Sequence, residues 1–110
     1  VNKLKDIQNC VDALKNAHTV ILFGVESSNL FAHYMANQLT KLGIICLISE
    51  NYHTTIMQIE NADDHSVCFL FSESGETEEI IRVASLSKSK GLKTIALTRN
   101  IKNSLYSSLP

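Results

Sequence analysis

The sequence contains 110 residues, 45% of them hydrophobic, which predicts a single domain with a packed core. Ten basic and eleven acidic residues nearly cancel, and no segment concentrates Lys or Arg, which argues against a surface that binds DNA by itself. No hydrophobic run approaches the roughly 20 residues that a transmembrane helix requires, so we expect no membrane insertion.

Amphipathic stretches and short apolar runs alternate along the chain. In chain order, the pattern predicts a helix over residues 2–17, a strand over 20–23, a helix over 28–42 and a strand over 44–48. A weaker helix over 53–61, a strand over 67–71, a helix over 76–90 and a strand over 94–97 follow, and a last helix begins over 103–109. In the second helix, the predicted buried face consists of Phe31, Met35, Leu39 and Leu42.

This alternation predicts the fold class. Short, nearly continuous apolar strands are typical of a parallel sheet that is covered on both faces. Helices that alternate with such strands predict a doubly wound α/β fold, which is a three-layer α-β-α sandwich. We expect the flavodoxin-like strand order 2-1-3-4-5, with the last strand missing from these residues. Because the sequence lacks an initiator Met and stops just after a predicted helix start, we expect residues 1–110 to be one domain of a longer protein.

The strand order predicts where a ligand would bind. In an open parallel sheet, ligands bind beyond the carboxyl ends of the strands, where the winding reverses. Here the reversal lies between the first and third strands, which are followed by the sequences GVESSN (24–29) and SESGETEE (72–79). Both loops combine hydroxyl residues with a glycine just before a helix, as in sites where first-turn N–H groups bind an anion. Neither loop contains Lys or Arg, so we expect modest affinity that depends on amides and hydroxyls.

A simpler interpretation is that the hydroxyl residues only cap the helices. Ser27, Ser28, Ser74 and Thr77 all stand near predicted helix starts, and helix capping is a common use of such residues. The presence of two such loops at the predicted reversal point favours an anion site.

Three segments carry a resemblance to a known family. The residues 72–77, SESGET, resemble the S-x-S-G-x-T signature of the SIS (sugar isomerase) domain, and VILFGVESS (20–28) resembles its first strand and G-x-G-x-S loop. Residues 88–98 resemble the family's stretch that ends in Thr after the fourth strand. Within this superfamily, the leading helix and the residues NYH (51–53), which resemble a D-x-H motif, are most similar to the effector domain of RpiR-type bacterial transcription regulators.

This resemblance implies a sugar-phosphate-sensing effector domain without catalytic activity. It implies DNA binding only through an N-terminal helix-turn-helix domain outside these residues, a homodimer or homotetramer built through the helices, and no cofactor. The implied phosphosugar-binding residues are Gly24, Ser27, Ser28, Ser72, Glu73, Ser74, Gly75 and Thr77, with Glu73 contributing chiefly its backbone. Glu26 and His53 are further candidates, and His53 could reach the ligand across a subunit boundary.

Glu26 departs from the family's pattern, because it occupies the position of the usual second glycine of the first loop. A side chain restricts φ at this position, and a carboxylate near a phosphate dianion is repulsive by about 1 kcal/mol or more unless it is solvated. Glu26 could instead accept hydrogen bonds from sugar hydroxyls.

The main alternative is a single-domain sugar-phosphate isomerase of the same superfamily. Isomerisation needs a general base, for which His53 with Glu26 or Glu79 are candidates. The family's isomerases tend to take this base from C-terminal helices that this sequence lacks. A phosphorylated receiver would need Asp where Ser72 stands, and a flavin site would need aromatic residues in the loops, so both are disfavoured.

The remaining histidines and cysteines predict neither a metal site nor a disulfide. His18 and His33 are expected on the surface or in helix packing, and His65 lies opposite the predicted ligand site. No His/Cys/Asp group has the spacing of a metal site along the sequence. Three dispersed cysteines without a secretion signal favour reduced thiols and a cytoplasmic protein.

Overall fold

Four helices and four strands alternate in the computed structural model, which describes the backbone of residues 3–73 and 77–98 and side chains from residue 9 onward in these ranges. The elements are α1 (Lys3–Lys15), β1 (Thr19–Gly24), α2 (Ser28–Lys41), β2 (Ile45–Ile48), α3 (Tyr52–Glu60), β3 (Ser66–Ser72), α4 (Glu78–Ser89) and β4 (Lys93–Thr98). The predicted helices and strands in these ranges are confirmed, with ends that differ by one or two residues. The helix predicted over 103–109 lies outside the described residues.

The four strands form one parallel sheet in the order β2-β1-β3-β4. The predicted order 2-1-3-4-5 is therefore confirmed over its first four strands. The register of the two central strands runs from Thr19 opposite Ser66 to Gly24 opposite Phe71, and Ser72 of β3 pairs with Thr98 of β4. Because the strands are parallel and end at nearly the same level, the loops that follow β1 and β3 lie side by side.

Successive residues of the central strands face opposite layers, and this builds the predicted three-layer sandwich. Val20 and Leu22 pack with buried residues of α2 and partly buried residues of α1. Ile21 and Phe23 pack instead with buried residues of α3 and α4. Both faces of the sheet are thus covered, which explains why β1 and β3 have nearly continuous apolar sequences.

The buried face of α2 differs from the predicted one. Leu39 is buried as expected, but Leu42 is 75% exposed, and the other buried positions are the small residues Ala32 and Ala36. Alanines let the helix lie close to the sheet, whereas the larger Phe31 lies at the margin of this contact and is 46% exposed. Hydrophobic spacing alone could not distinguish the close contact from its margin.

Strand β2 forms one edge of the sheet and is less buried than the central strands. Exposed and half-buried residues alternate along it, and Ile45 and Leu47 are exposed although the run is apolar throughout. Among the described residues, no helix has the length and apolar character needed to cross a membrane.

Candidate functional site

The two serine-bearing loops meet at the carboxyl edge of the sheet. A cavity of about 250 Å³ lies between them. Its lining residues are Val25, Glu26, Ser27, Ser28, Ser72, Glu73 and Thr77. The structure thus brings together six of the predicted site residues, whereas Ser74 and Gly75 lie outside the described residues.

A second cavity, of about 460 Å³, adjoins the first. Its lining residues are Ser27, Ser28, Phe31, Phe71, Ser72, Glu73, Leu97 and Thr98. The two cavities share two serines from the first loop and Ser72 and Glu73 from the second. The combined site therefore has a polar part between the loops and an apolar wall made by Phe31, Phe71 and Leu97.

Gly24 allows the first loop to turn tightly from β1 into α2. A Cβ atom on Gly24 would lie 2.7 Å from the carbonyl oxygen of Ser28 and 2.9 Å from its carbonyl carbon. Real Cβ atoms do not approach backbone atoms so closely, and here both neighbours are backbone atoms that cannot rotate away. Gly24 therefore serves the site through the close approach of two backbone segments.

Glu26 has a positive φ of 53°, in the left-handed region that glycine adopts most easily. Turns flank it, because the Ser28 N–H donates to the Val25 carbonyl at 3.0 Å and the Asn29 N–H donates to the Glu26 carbonyl at 3.1 Å. The first loop thus keeps a backbone suited to glycine while carrying an exposed carboxylate. A non-glycine residue in this conformation stores about 1 kcal/mol of strain.

The helix starts at the cavity are not capped by the side chains at their N-cap positions. Ser27 and Thr77 occupy the N-cap positions of α2 and α4, and neither makes a side-chain capping hydrogen bond. By contrast, Asn51 caps α3 by accepting from the N–H groups of His53 and Thr54 at 2.8 and 3.2 Å. The simple capping interpretation therefore fails for Ser27 and Thr77, which leaves their hydroxyls available for another acceptor or donor.

The described lining residues of both cavities include no Lys or Arg. Arg82 of α4 binds Glu78 one turn earlier in the same helix, at 2.7 Å. Hydrogen bonding to Tyr52 and the adjacent Glu78 carboxylate raise the pKa of Arg82. An anion in this part of the site would therefore be bound by hydroxyls and favoured by the positive ends of α2 and α4.

Like Gly24, the predicted candidates His53 and Glu79 line neither cavity. His53 is exposed in the first turn of α3, at the same edge of the sheet, and its ring contacts Tyr52 with centroids 5.3 Å apart. Glu79, a candidate base for the isomerase alternative, is exposed on α4. Contact of His53 with a ligand across a subunit boundary stays a prediction.

A further cavity, of about 400 Å³, lies at the opposite edge of the sheet. Its lining residues include Thr19, Leu47, Met57, Gln58, Asp63 and Ser66. It lies at the amino ends of the strands, whereas open parallel sheets bind ligands beyond the carboxyl ends. The paired serine loops are therefore the better candidate for the ligand site.

Sequence reasoning missed five lining residues: Val25, Phe31, Phe71, Leu97 and Thr98. Leu97 and Thr98 end β4, so the rule that selected the ends of β1 and β3 could also have found them. Phe31 lies three residues after Ser28 on α2, which is the spacing that brings two side chains to one helix face. Outside this site, the structure also brings together His18, Asp63 and His65, a group that spacing along the sequence did not indicate.

Comparison with known protein families matches residues 13–108 to the SIS domain. The chain belongs to the SIS domain family. The uncharacterized HTH-type transcriptional regulator YbbH of Bacillus subtilis is 32% identical over 95 residues, which make up 86% of this chain and 34% of that protein. This SIS domain therefore spans about a third of the length of the curated relatives it matches.

Solved structures show the same fold. The structure of the Vibrio vulnificus NanR protein complexed with ManNAc-6P has a TM-score of 0.89 and 27% identity, and the match covers 96% of this chain and 40% of that chain. The sugar isomerase domain of an RpiR transcription factor from Sphaerobacter thermophilus has a TM-score of 0.86 and 20% identity, with 96% and 59% covered. These similarities confirm the predicted likeness of this SIS domain to those of RpiR-type regulators.

Proposed function

We propose that this SIS domain is the sugar-phosphate-sensing effector domain of an RpiR-type transcription regulator. The observation that carries the proposal is the common cavity between the loops after β1 and β3, whose strands end in register. Four hydroxyl residues line this cavity: Ser27, Ser28, Ser72 and Thr77. Two helices also begin beside it, and the positive ends of their dipoles favour a phosphoryl group.

The sugar would occupy the adjoining cavity. Its apolar wall suits the C–H face of a sugar, and Ser72, Thr98 and the Glu73 carboxylate, which also line it, can exchange hydrogen bonds with the sugar hydroxyls. The carboxylates of Glu26 and Glu73 repel a doubly charged anion such as inorganic phosphate. Hydrogen bonds that the ligand hydroxyls donate to these carboxylates would offset part of this repulsion.

The proposed role is regulatory and without catalysis. The carboxylates among the described lining residues are Glu26 and Glu73, and both are exposed. A general base is usually tuned by burial or by a charged neighbour, so neither resembles a positioned base for isomerisation. The near-neutral composition and the similarity to HTH-type regulators support DNA binding through a separate domain, in the cytoplasm, with effector binding controlling it.

Thermal unfolding and calorimetry test the ligand class directly. A panel of sugar phosphates, the matching free sugars and inorganic phosphate would be titrated into the chain, and we expect at least one sugar phosphate to raise the Tm while its free sugar does not. Ser28→Ala should weaken binding by about tenfold, which corresponds to one lost hydrogen bond to a charged group. Ser85→Ala is the matched control, because Ser85 is exposed on α4 and lines neither cavity.

Two results would count against the proposal. Absence of a Tm response to the whole panel would reject ligand sensing, and equal losses in Ser28→Ala and Ser85→Ala would reject this site. Isomerase assays with each bound sugar phosphate separate the sensor from the enzyme, since measurable turnover would exclude a purely regulatory domain.

The proposed regulator assembles as a homodimer or homotetramer through its helices. Leu30 is 76% exposed on α2, and Phe31 and Tyr34 are also exposed there, which makes an apolar patch typical of protein contacts. Leu30→Asp should reduce the mass measured by light scattering, whereas Asn37→Asp adds the same charge to an exposed position of the same helix. An unchanged mass in Leu30→Asp would exclude this helix from the interface.

A further inference from the structure

Three potential metal ligands meet at the edge of the sheet opposite the serine loops. His18 precedes β1, whereas Asp63 and His65 lie in the turn before β3. One ligand atom from each side chain lies within 4.8 Å of the other two. The parallel pairing of Thr19 with Ser66 causes this approach, and the His18 N–H donates to the His65 carbonyl at 3.0 Å.

We propose that His18, Asp63 and His65 form a binding site for a divalent transition metal ion, with Zn²⁺ as the best fit. Two imidazole nitrogens and one carboxylate oxygen suit Zn²⁺, Ni²⁺ or Cu²⁺, whereas Mg²⁺ and Ca²⁺ prefer oxygen ligands alone. Tetrahedral zinc with ligands at about 2.1 Å places neighbouring ligand atoms about 3.4 Å apart. All three side chains are exposed, so their rotation can close the remaining gap.

The carboxylate of Asp63 is already oriented for this role. Its Oδ1 accepts hydrogen bonds from the His65 backbone N–H at 2.9 Å and from the Ser66 hydroxyl at 3.2 Å. Its other oxygen, Oδ2, lies 4.0 Å from Nδ1 of His18. One oxygen is therefore fixed by the turn, and the second faces another proposed ligand.

His65 carries a partner that is typical of metal-bound histidines. Its Nδ1 lies 3.1 Å from Oδ1 of Asp64, and histidines that bind metals usually donate one ring N–H to a carboxylate. A proton on Nδ1 would face this carboxylate and would leave the Nε2 lone pair for the metal. The rings of His18 and His65 are stacked, with centroids 4.7 Å apart and an interplanar angle of 20°. Because each lone pair lies in the plane of its ring, the rings must rotate to direct both nitrogens at one ion.

Zinc titration of the untagged chain tests the site. Calorimetry should show one high-affinity Zn²⁺ per chain, and Co²⁺ should give the visible absorption of a tetrahedral site. We expect the double variant His18→Gln/His65→Gln to bind Zn²⁺ at least tenfold more weakly and to lose the Zn²⁺-dependent rise in Tm. His33→Gln is the matched control, because His33 is exposed on α2 and absent from the cluster.

The proposal would be overturned if the double variant bound Zn²⁺ as tightly as the natural chain does. Binding would then be assigned to other groups, such as the thiols of Cys10 and Cys46. Asp63→Asn provides a second test that retains the shape of the turn while removing the charge, and we expect a loss of about tenfold or more. Sugar-phosphate binding should persist in each variant, since the cluster lies at the opposite edge of the sheet from the serine loops.

Discussion

The ring of Phe31 stands edge-on to the ring of Phe71, with centroids 5.5 Å apart and an interplanar angle of 85°. Phe71 is buried in β3, whereas Phe31 stands at the cavity on α2. Edge-to-face aromatic pairs add about 0.5–1.5 kcal/mol beyond the area they bury. This contact joins the helix that follows the first serine loop to the strand that precedes the second, and it fixes the apolar wall of the site.

Phe31→Ala should separate binding of the sugar from binding of its phosphate. We expect affinity for a sugar phosphate to fall about tenfold, because the apolar wall is lost, while the weak affinity for inorganic phosphate stays unchanged. The free energy of unfolding should fall by about 1–2 kcal/mol, since Phe31 is only partly buried. Calorimetry and urea unfolding measure these effects.

Asn37→Ala is the control for Phe31→Ala, because Asn37 is an exposed residue of α2 that lines neither cavity and lies outside the apolar patch of Leu30, Phe31 and Tyr34. An equal loss of affinity for inorganic phosphate and for the sugar phosphate in Phe31→Ala would show that the substitution disturbs the serine loops. The assignment of the apolar wall to the sugar would then be wrong.

Gly24→Ala should disrupt the turn between β1 and α2. The new Cβ would lie 2.7 Å from the Ser28 carbonyl oxygen, so either β1 or the start of α2 must move. We expect a loss of about 2–3 kcal/mol in the free energy of unfolding, together with weaker ligand binding. Urea unfolding of Gly43→Ala provides the comparison.

Gly43 has a φ of 86°, and a Cβ there would meet no atom within 4 Å. Gly43→Ala should therefore lose only the roughly 1 kcal/mol that a positive φ costs a residue with a side chain, and it should leave ligand binding intact. If both variants lost the same stability and both retained full affinity, the close approach at Gly24 would not matter to the site.

Substitutions of Glu26 distinguish the effect of its charge from that of its backbone. Glu26→Gln removes the carboxylate and retains the strained φ, so it should tighten phosphate binding several-fold with little change in stability. Glu26→Gly relieves the strain as well, and we expect it to stabilise the fold by about 0.5–1 kcal/mol. Calorimetry and thermal unfolding of both variants check these results.

Weaker binding in Glu26→Gln would instead indicate that the carboxylate accepts hydrogen bonds from ligand hydroxyls. A loss of stability in Glu26→Gly would mean that the greater freedom of glycine in the unfolded chain outweighs the relief of strain.

The fold could be predicted from the sequence where burial is complete. Strands β1 and β3 are covered on both faces, so each appears as an uninterrupted apolar run. The same kind of run at β2 did not reveal that Ile45 would be 63% exposed, because an apolar sequence carries no sign of its place at an edge. Position in the sheet depends on pairing between distant segments.

The sequence predicted the loops of the candidate site but not the residues that helices and other strands contribute to it. Strand order and the hydroxyl residues led to the serine loops, but the role of Phe31 was hidden because helical spacing assigned it to the core. The approach of His18 to Asp63 was equally hidden, because they lie 45 positions apart in the sequence and only the register of β1 with β3 brings them together. Both omissions concern contacts between elements, which periodicity within one element cannot show.

Cys68 gives the fold a predictable response to high pH. Burial raises the pKa of this thiol from its ordinary value of 9.0 to about 12, against the smaller opposite effect of a hydrogen bond with Ser87. Above pH 9 the unfolded chain loses this proton while the folded chain retains it, so the folded state binds more protons and its stability falls as the pH rises. The expected contribution is at most about 1.4 kcal/mol per pH unit between 9 and 12, with none below pH 9.

Urea unfolding at pH 8 to 10.5 measures this slope, and Cys68→Ala is the control because it retains every other titrating group. The difference in the free energy of unfolding between the natural chain and Cys68→Ala should shrink as the pH rises above 9. Iodoacetamide at pH 8 should modify the partly exposed Cys10 and Cys46 and leave Cys68 unmodified until the chain is unfolded. Parallel pH profiles for the two chains, or rapid modification of Cys68 in the native state, would show that this thiol is accessible to water and that its proton does not contribute to stability.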